Sequence, residues 1–244
     1  MDKYEEVANY IKEAKKIVLF SGAGISTPSG IPDFRSSNGI YNEKLKSNFS
    51  PEQVVSHTFF MNYPKEFYDF YLNKMVYPNA KYNKAHKFFA DLEKKGKIVN
   101  TVTQNIDGLQ QAAGSTSVYE LHGSIHRNYC MKCHKFYDLD GILTRGNPPM
   151  CSCGGLIKPD VVLYEEGLDE TTIERACKAI YDADMMFVVG TSLIVQPAAS
   201  FVQYFHGRIL VLINKSETFL DYNADFVFNE DVVEVVKKIK KYMK

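Results

Sequence analysis

Short apolar runs at residues 17–20, 98–103, 185–189 and 209–213 punctuate the chain. None alternates cleanly between apolar and polar positions, which is the pattern of strands buried on both faces by covering helices. Between them the period lengthens to that of a helix. Residues 83–95 put Ala85, Phe88, Phe89 and Leu92 on one face and stop at Gly96, a C-cap signal. Residues 170–182 repeat the pattern, and residues 231–244 set Val232, Val233, Val236 and Ile239 opposite a lysine face. The first residues, MDKYEEVANYIKEAKK, form a charged helical pattern. Strand alternating with helix predicts an α/β fold with a doubly wound parallel sheet.

Two stretches break the alternation. Residues 36–77 are rich in Asn, Phe and Tyr, with a helical pattern at 64–74 that no strand precedes; residues 124–158 hold cysteines, prolines and glycines. They read as two insertions, a helical module and a cysteine module. Together they would form a smaller lobe beside a main domain of residues 1–35, 78–123 and 159–244.

Composition narrows the class. Hydrophobic residues make up 45% of the 244, as in an ordinary globular protein, and 29 Lys and Arg balance 29 Asp and Glu. No overall field therefore draws nucleic acid or an anionic membrane surface. The amino terminus lacks the apolar core of a signal peptide, and no run approaches the roughly 18 apolar residues that span a bilayer. A cytoplasmic protein is expected. No heptad or long apolar stripe calls for a second copy, so a monomer is expected too. Of five cysteines, four lie in two tight pairs, which points to metal and not to disulfides.

Candidate chemistry collects just after the strands, where ligands of open α/β sheets bind. Gly22, Ala23 and Gly24 follow the first run; glycines there would let a pyrophosphate approach, with a helix N-terminus supplying donors. The third glycine, Gly30, comes later than in G-x-G-x-x-G, and a structural turn is the competing reading. Phe34 and Arg35 could cover a flat ring and pair with phosphate, or belong to a surface loop. In Gln104-Asn105-Ile106-Asp107 the carboxylate could accept from a carboxamide and Asn105 could orient a water or a ribose hydroxyl. An Asx turn with Asp107 as a helix N-cap is the alternative. His122 offers acid–base chemistry near neutral pH and Gly123 room for a substrate, against a structural histidine.

Cys130-x-x-Cys133 and, after 17 residues, Cys151-x-Cys153 resemble a zinc signature whose second pair is unusually tight. Four thiolates close a tetrahedral shell, so the metal would be structural. His134 is the outside substitute ligand, and Cys177 reads as a small core residue.

The ordered set GAGIS at 22–26, IPDFR at 31–35, TQNIDGL at 103–109, LHGS at 121–124, the cysteine pairs, GTSL at 190–193 and Asn214 resembles the sirtuin family in its short, bacterial-like form. These are NAD-dependent protein lysine deacylases, and the likeness covers roughly residues 4 to 240. It implies a Rossmann-like domain plus a small lobe made of a zinc ribbon and a helical module. It implies NAD consumed as a co-substrate, one structural zinc ion, and acyl-lysine proteins or peptides as partners. The acyl oxygen would attack C1′ of the nicotinamide ribose, and His122 would then act as base on a ribose hydroxyl. Products would be nicotinamide, free lysine and O-acyl-ADP-ribose.

By the same resemblance, Ala23, Thr27, Phe34, Arg35 and Gln104 line the cofactor, and Asn105, Ile106 and Asp107 the nicotinamide pocket, with Asn105 beside His122 in catalysis. Gly190, Thr191, Ser192, Asn214 and Asp231 fall on the adenosine side. Val161, Val162, Leu163 and Tyr164 would capture peptide by backbone pairing. Two positions depart from the family. Glu165 stands where glycine is usual, and Tyr68-x-x-Tyr71 keeps the tyrosine but not the arginine of members that prefer succinyl- or malonyl-lysine. Acetyl, or uncharged longer acyl groups, are therefore expected over dicarboxylic ones. A mono-ADP-ribosyltransferase and a non-catalytic NAD-sensing module are the competing readings. The complete acid–base and cofactor set argues against the sensor, and intact GAGIS, NID and HG favour deacylation over transfer.

Overall fold

The computed structural model describes residues 2–34, 39–40 and 49–243. All four expected strands form, as β1 (Lys16–Ser21), β2 (Ile98–Thr103), β7 (Met185–Val189) and β8 (Ile209–Ile213). With β3 (Val118–Glu120) and β9 (Phe226–Phe228) at the edges they make one sheet, ordered β3-β2-β1-β7-β8-β9 and parallel at every pairing. Strand order reverses between β1 and β7. That gap is the topological switch point, where an open α/β sheet leaves a crevice.

Both faces of the sheet are covered. Ile17 and Leu19 of β1 and Phe187 of β7 join a core with α1 (Lys3–Glu13), α5 (Lys84–Lys94) and α9 (Val232–Lys241). Val18, Phe20, Met186 and Val188 face the other way, against α8 (Glu170–Tyr181) and a 3-10 segment, Ala198–Tyr204. Helix α5 starts at an Asn83–His86 capping box and stops at Gly96, whose φ of +87° lets Lys97 N–H reach back to Leu92 C=O at 3.2 Å. In α9 the buried positions are Val232, Val235, Val236 and Ile239; Val233, expected inside, is only half-buried because Asp231 starts the helix and sets its phase.

The two irregular stretches share a core of their own. Helices α2 (Pro51–Val54), α3 (His57–Asn62) and α4 (Pro64–Lys74) pack with α7 (Leu139–Leu143) and a three-stranded antiparallel sheet. Its order is β5 (Phe136–Tyr137), β4 (Gly123–Cys130), β6 (Ile157–Val161). Phe60, Phe67, Tyr68 and Tyr71 are fully buried there, and Tyr68 Oη donates to Ile157 C=O at 2.5 Å. Helix α6 (Leu109–Ala113) follows β2. Among the described residues no helix is long and apolar enough to cross a membrane.

Candidate active site

Because the large sheet is parallel, the carboxyl ends of β1, β2 and β7 meet at one edge. The chain leaves β1 through two short 3-10 turns, Ala23–Ile25 and Thr27–Ser29, where an α-helix N-terminus was expected. Its glycines answer to the neighbouring strand. Gly22 N–H bonds to Val189 C=O at 3.0 Å and Gly24 N–H to Gly190 C=O at 2.8 Å. A Cβ on Gly24 would lie 2.6 Å from Gly190 Cα, and one on Gly190, whose φ is +60°, 2.4 Å from Ile25 N. The loops after β1 and β7 thus interlock backbone to backbone. Thr27 Oγ1 donates to Gly24 C=O at 3.1 Å and closes the turn; Ala23 is half-buried above it.

The β2 exit crosses in front of these loops. Gln104 Nε2 donates to Thr191 Oγ1 at 3.0 Å, and Asn105 Nδ2 donates to Gly22 C=O at 3.1 Å and Ser26 Oγ at 3.2 Å. Asp107 does two things at once. Its Oδ1 accepts Leu109 N–H at 2.9 Å, an Asx turn at the start of α6, while Gly108 and not Asp107 takes the N-cap position. Its Oδ2 accepts from Ser26 Oγ at 2.6 Å. Burial pushes the Asp107 carboxyl up, against the two hydrogen bonds that favour the charged form. Ile106 packs against the second core, as does Phe34; Arg35 lies outside the described residues.

His122 sits where the two sheets meet. Leu121 N–H bonds to Thr103 C=O of β2 at 2.9 Å, and Val162 N–H bonds to His122 C=O at 3.0 Å. The ring Nδ1 lies 2.9 Å from Gln104 C=O. A carbonyl only accepts, so Nδ1 carries the proton and Nε2 keeps a free lone pair. Burial lowers the pKa of His122, partly offset by that carbonyl. Gly123 was expected to leave room for a substrate; a Cβ there would lie 1.9 Å from Asp160 C=O, so the glycine instead admits strand β6.

The peptide-strand candidates are already well bonded. Besides Val162, Leu163 N–H reaches Glu166 Oε2 at 2.9 Å, Tyr164 N–H reaches Val55 C=O at 3.1 Å, and Tyr164 C=O accepts His57 N–H at 3.0 Å. Val161 closes β6 opposite Gly123. Glu165 occupies the glycine-favouring region at φ +78°, and its carboxylate accepts Thr58 N–H at 2.8 Å at the start of α3. Glu166 bridges His57 at 2.8 Å and Lys158 at 3.0 Å. On the far side of the switch point, Thr191 is buried and Ser192 exposed. Asn214 Nδ2 turns back to Ser216 C=O at 2.7 Å, and Asp231 caps α9 through Val233 N–H at 2.9 Å while pairing with Lys215 at 3.2 Å.

The four cysteines converge: Sγ of Cys130, Cys133, Cys151 and Cys153 all lie within 4.8 Å of one another. Neighbouring sulfurs are 3.4, 3.5 and 3.6 Å apart, close to the edge of about 3.8 Å that a tetrahedron with zinc–sulfur bonds of about 2.3 Å requires. The C-x-C pair reaches the cluster because the chain folds tightly after it: a Cβ on Gly155 would lie 2.6 Å from Cys130 Sγ. His134 is not in the cluster; its N–H closes the first knuckle onto Cys130 C=O at 2.9 Å. Cys177 is half-buried on α8.

Two polar residues behind Asp107 were not among the candidates that the sequence suggested. Ser26 lay unremarked inside GAGIS, and His86 sits on the apolar face of α5, fully buried, with Nε2 3.4 Å from Ser26 Oγ. A histidine inside an apolar helical stripe was the available signal. Two surface hollows of about 390 and 580 Å³ lie beside β3 and at the amino ends of β1, β7 and β8, and none of the candidate residues lines them.

A family model described as the Sir2 family matches residues 22–197. The chain is 55% identical to an NAD-dependent protein deacetylase of Clostridium perfringens, over 98% of both chains. It superposes on a solved Sir2 with deacetylated p53 peptide and 3′-O-acetyl ADP ribose at a TM-score of 0.90 and 38% identity, covering 98% of each. A Sir2–p53 peptide–NAD+ structure matches at a TM-score of 0.84 and 38% identity, again over 98% of each chain.

Proposed function

This chain belongs to the Sir2 family and is an NAD-dependent protein deacetylase; from that premise we propose that its chemistry centres on His122 and the strand-end cluster at the switch point. NAD and acetyl-lysine would give nicotinamide, free lysine and O-acetyl-ADP-ribose. The observation that carries this assignment is the tautomer of His122. Its Nδ1–H is committed to Gln104 C=O, and burial keeps the ring neutral. Nε2 is therefore a ready base for a ribose hydroxyl.

Asp107 holds the nicotinamide carboxamide on the lone pairs that Ser26 and Leu109 leave. Asn105 has spent its donors on Gly22 and Ser26, so its Oδ1 receives a ribose hydroxyl or water. Phe34 and Ile106 keep water from the reacting carbon. Ala23, Thr27 and Gln104 shape the dinucleotide cleft with Gly22, Gly24 and Gly190. Arg35 serves phosphate; Thr191, Ser192 and Asn214 serve the adenosine, and Asp231 acts there only through its helix cap. Substrate pairs with the 161–164 segment mainly through the Val162 carbonyl, because the N–H groups at 162, 163 and 164 have acceptors within the chain. The four cysteines would hold a zinc ion whose part is a structural cross-link, because four thiolates leave no site on it for a substrate.

We assign the main domain to residues 1–35, 78–123 and 159–244, and the small lobe to 36–77 and 124–158, in a monomeric cytoplasmic enzyme that binds neither nucleic acid nor membrane. Acetyl and uncharged longer acyl chains are preferred, since Tyr71 offers no charge to a dicarboxylic group. Mass analysis of nicotinamide and O-acetyl-ADP-ribose, made from NAD with an acetyl-lysine peptide, tests the reading. Both should need the peptide and vanish in His122→Ala. ADP-ribose found on a protein acceptor would replace deacylation with transfer, and faster cleavage of succinyl- than acetyl-lysine would overturn the acyl preference.

A further inference from the structure

We propose that His86 is a positioning residue for the nicotinamide pocket: through Ser26 it fixes the direction of the hydroxyl proton that holds Asp107 in place. This rests on the role given to Asp107 above. The chain of donors can be followed from one end. Asn83 N–H, at the start of α5, lies 3.2 Å from His86 Nδ1 and can only donate. Nδ1 must therefore accept, which puts the single proton of the neutral ring on Nε2. A doubly protonated ring would set Nδ1–H against Asn83 N–H, and complete burial disfavours it further, lowering the pKa to about 4.

Nε2–H points at Ser26 Oγ, 3.4 Å away, and Asn105 Nδ2 donates to the same oxygen at 3.2 Å. Both lone pairs of the hydroxyl are then occupied, and its own proton goes to Asp107 Oδ2 at 2.6 Å. With Leu109 N–H on Oδ1 and Ser26 on Oδ2, both oxygens are held and the carboxylate is fixed in rotation. Remove Nε2–H and Ser26 regains a free lone pair and rotational freedom, which Asp107 inherits. His86 touches no reacting atom; it acts through Ser26.

Two substitutions separate this role from the helix cap that His86 also provides. His86→Asn keeps an acceptor where Nδ1 was, and so the capping box, but has nothing at Nε2. His86→Gln reaches Ser26 with its terminal amide N–H but loses the cap. Steady-state nicotinamide release from NAD with an acetyl-lysine peptide, and thermal midpoints, are measured for both. His86→Asn should melt near wild type yet lose about tenfold in kcat, the loss expected for one hydrogen bond to a charged site, with KM for peptide unchanged. His86→Gln should melt lower but keep kcat within about threefold. In a Ser26→Ala background His86→Asn should cost nothing more. Activity that follows the melting order, with Asn the better enzyme, overturns the proposal. So does a further tenfold loss on Ser26→Ala. Asp107→Asn is assayed alongside: full activity there overturns the role of Asp107 itself, whereas an inactive Asp107→Asn beside a fully active His86→Asn overturns only the role of His86.

Discussion

Gly190→Ala is a sharp test of how the site is built. The added Cβ would sit 2.4 Å from Ile25 N, 2.5 Å from Gly24 C and 2.7 Å from Gly24 Cα, all backbone atoms that no side-chain rotation can move. Forcing a methyl into such a space costs about 1–3 kcal/mol. The residue also sits at φ +60°, which adds about 1 kcal/mol for any residue with a Cβ. The sum, about 2–4 kcal/mol, is a large part of the roughly 5–15 kcal/mol that folded proteins have in total. Gly30→Ala is the control: its φ of +86° imposes the same strain, but no atom lies within 4 Å of the new Cβ. The difference between the two isolates the interlocking of the β1 and β7 loops. Urea unfolding should place Gly190→Ala below Gly30→Ala by about 1 M or so in midpoint, at similar slopes. KM for NAD should rise only in Gly190→Ala, because the loops it pushes apart line the proposed dinucleotide cleft. Equal destabilisation by the two substitutions would refute the contact argument and return these glycines to a role met only when ligand is bound.

Asp107→Asn should lose nicotinamide release by roughly a hundredfold, as when one preorganised polar partner is removed from an active site, yet unfold at the same or higher urea at pH 7. Burial raises this carboxyl, so the native state binds its proton more tightly than the unfolded chain does; stability falls as pH rises through the folded pKa, and asparagine removes that loss. A less stable Asp107→Asn at pH 7 would contradict this. For His122 the lowered pKa puts the acid limb of kcat/KM below the ordinary histidine value of about 6.5; a limb above pH 7 would show that the ring is not the neutral base. His86, held down to about 4, should cost the fold about 3 kcal/mol as pH drops from about 6.5 to 4, because the unfolded chain takes up the proton first. His86→Gln should flatten that slope in acid denaturation curves, and an unchanged slope would assign it elsewhere. Zinc chelation should release one ion per chain and expose the amides of β4 and β6 to hydrogen exchange before those of β1 and β7; simultaneous exposure of both sheets would show a single cooperative unit.

What could be read from the sequence follows burial. Strands β1, β7 and β8 are apolar nearly throughout because both faces are covered, and such runs stand out. The edge strands Val118–Glu120 and Phe226–Phe228 are three residues long, too short for a run or an alternation to stand out. The four cysteines were legible because metal-ligand spacing is local. The meaning of the glycines was not. Gly22, Gly24 and Gly123 suggested space for ligand, whereas each borders the backbone of a segment distant in sequence, Gly190 or Asp160. Ser26 and His86 stayed hidden for the same reason: 60 positions separate them, and only the packing of α5 beside the β1 exit brings them together.

The position of His122 ties the cysteine cluster to the proposed chemistry without any contact between them. On its amino side Leu121 is bonded to Thr103 at the end of β2; on its carboxyl side Gly123 pairs with Val161, and β4 runs on to Cys130. His122, the proposed base, is therefore clamped between the large sheet and a strand whose far end is one of the four clustered cysteines. Strand β6, which starts next to the second cysteine pair, ends in the segment assigned to the substrate. Strand β4 pairs with β6 at the cysteine end, Asn128 to Cys130 against Pro159 to Ile157, and again past an irregularity at Gly123 and Ser124, so a metal held at the cysteines would act on His122 and Val162 through both strands. Loosening the cluster should then degrade base and substrate alignment together. It would lower kcat and raise KM for peptide at once, while the loops proposed to hold NAD, anchored by Gly190 on the other sheet, keep their shape.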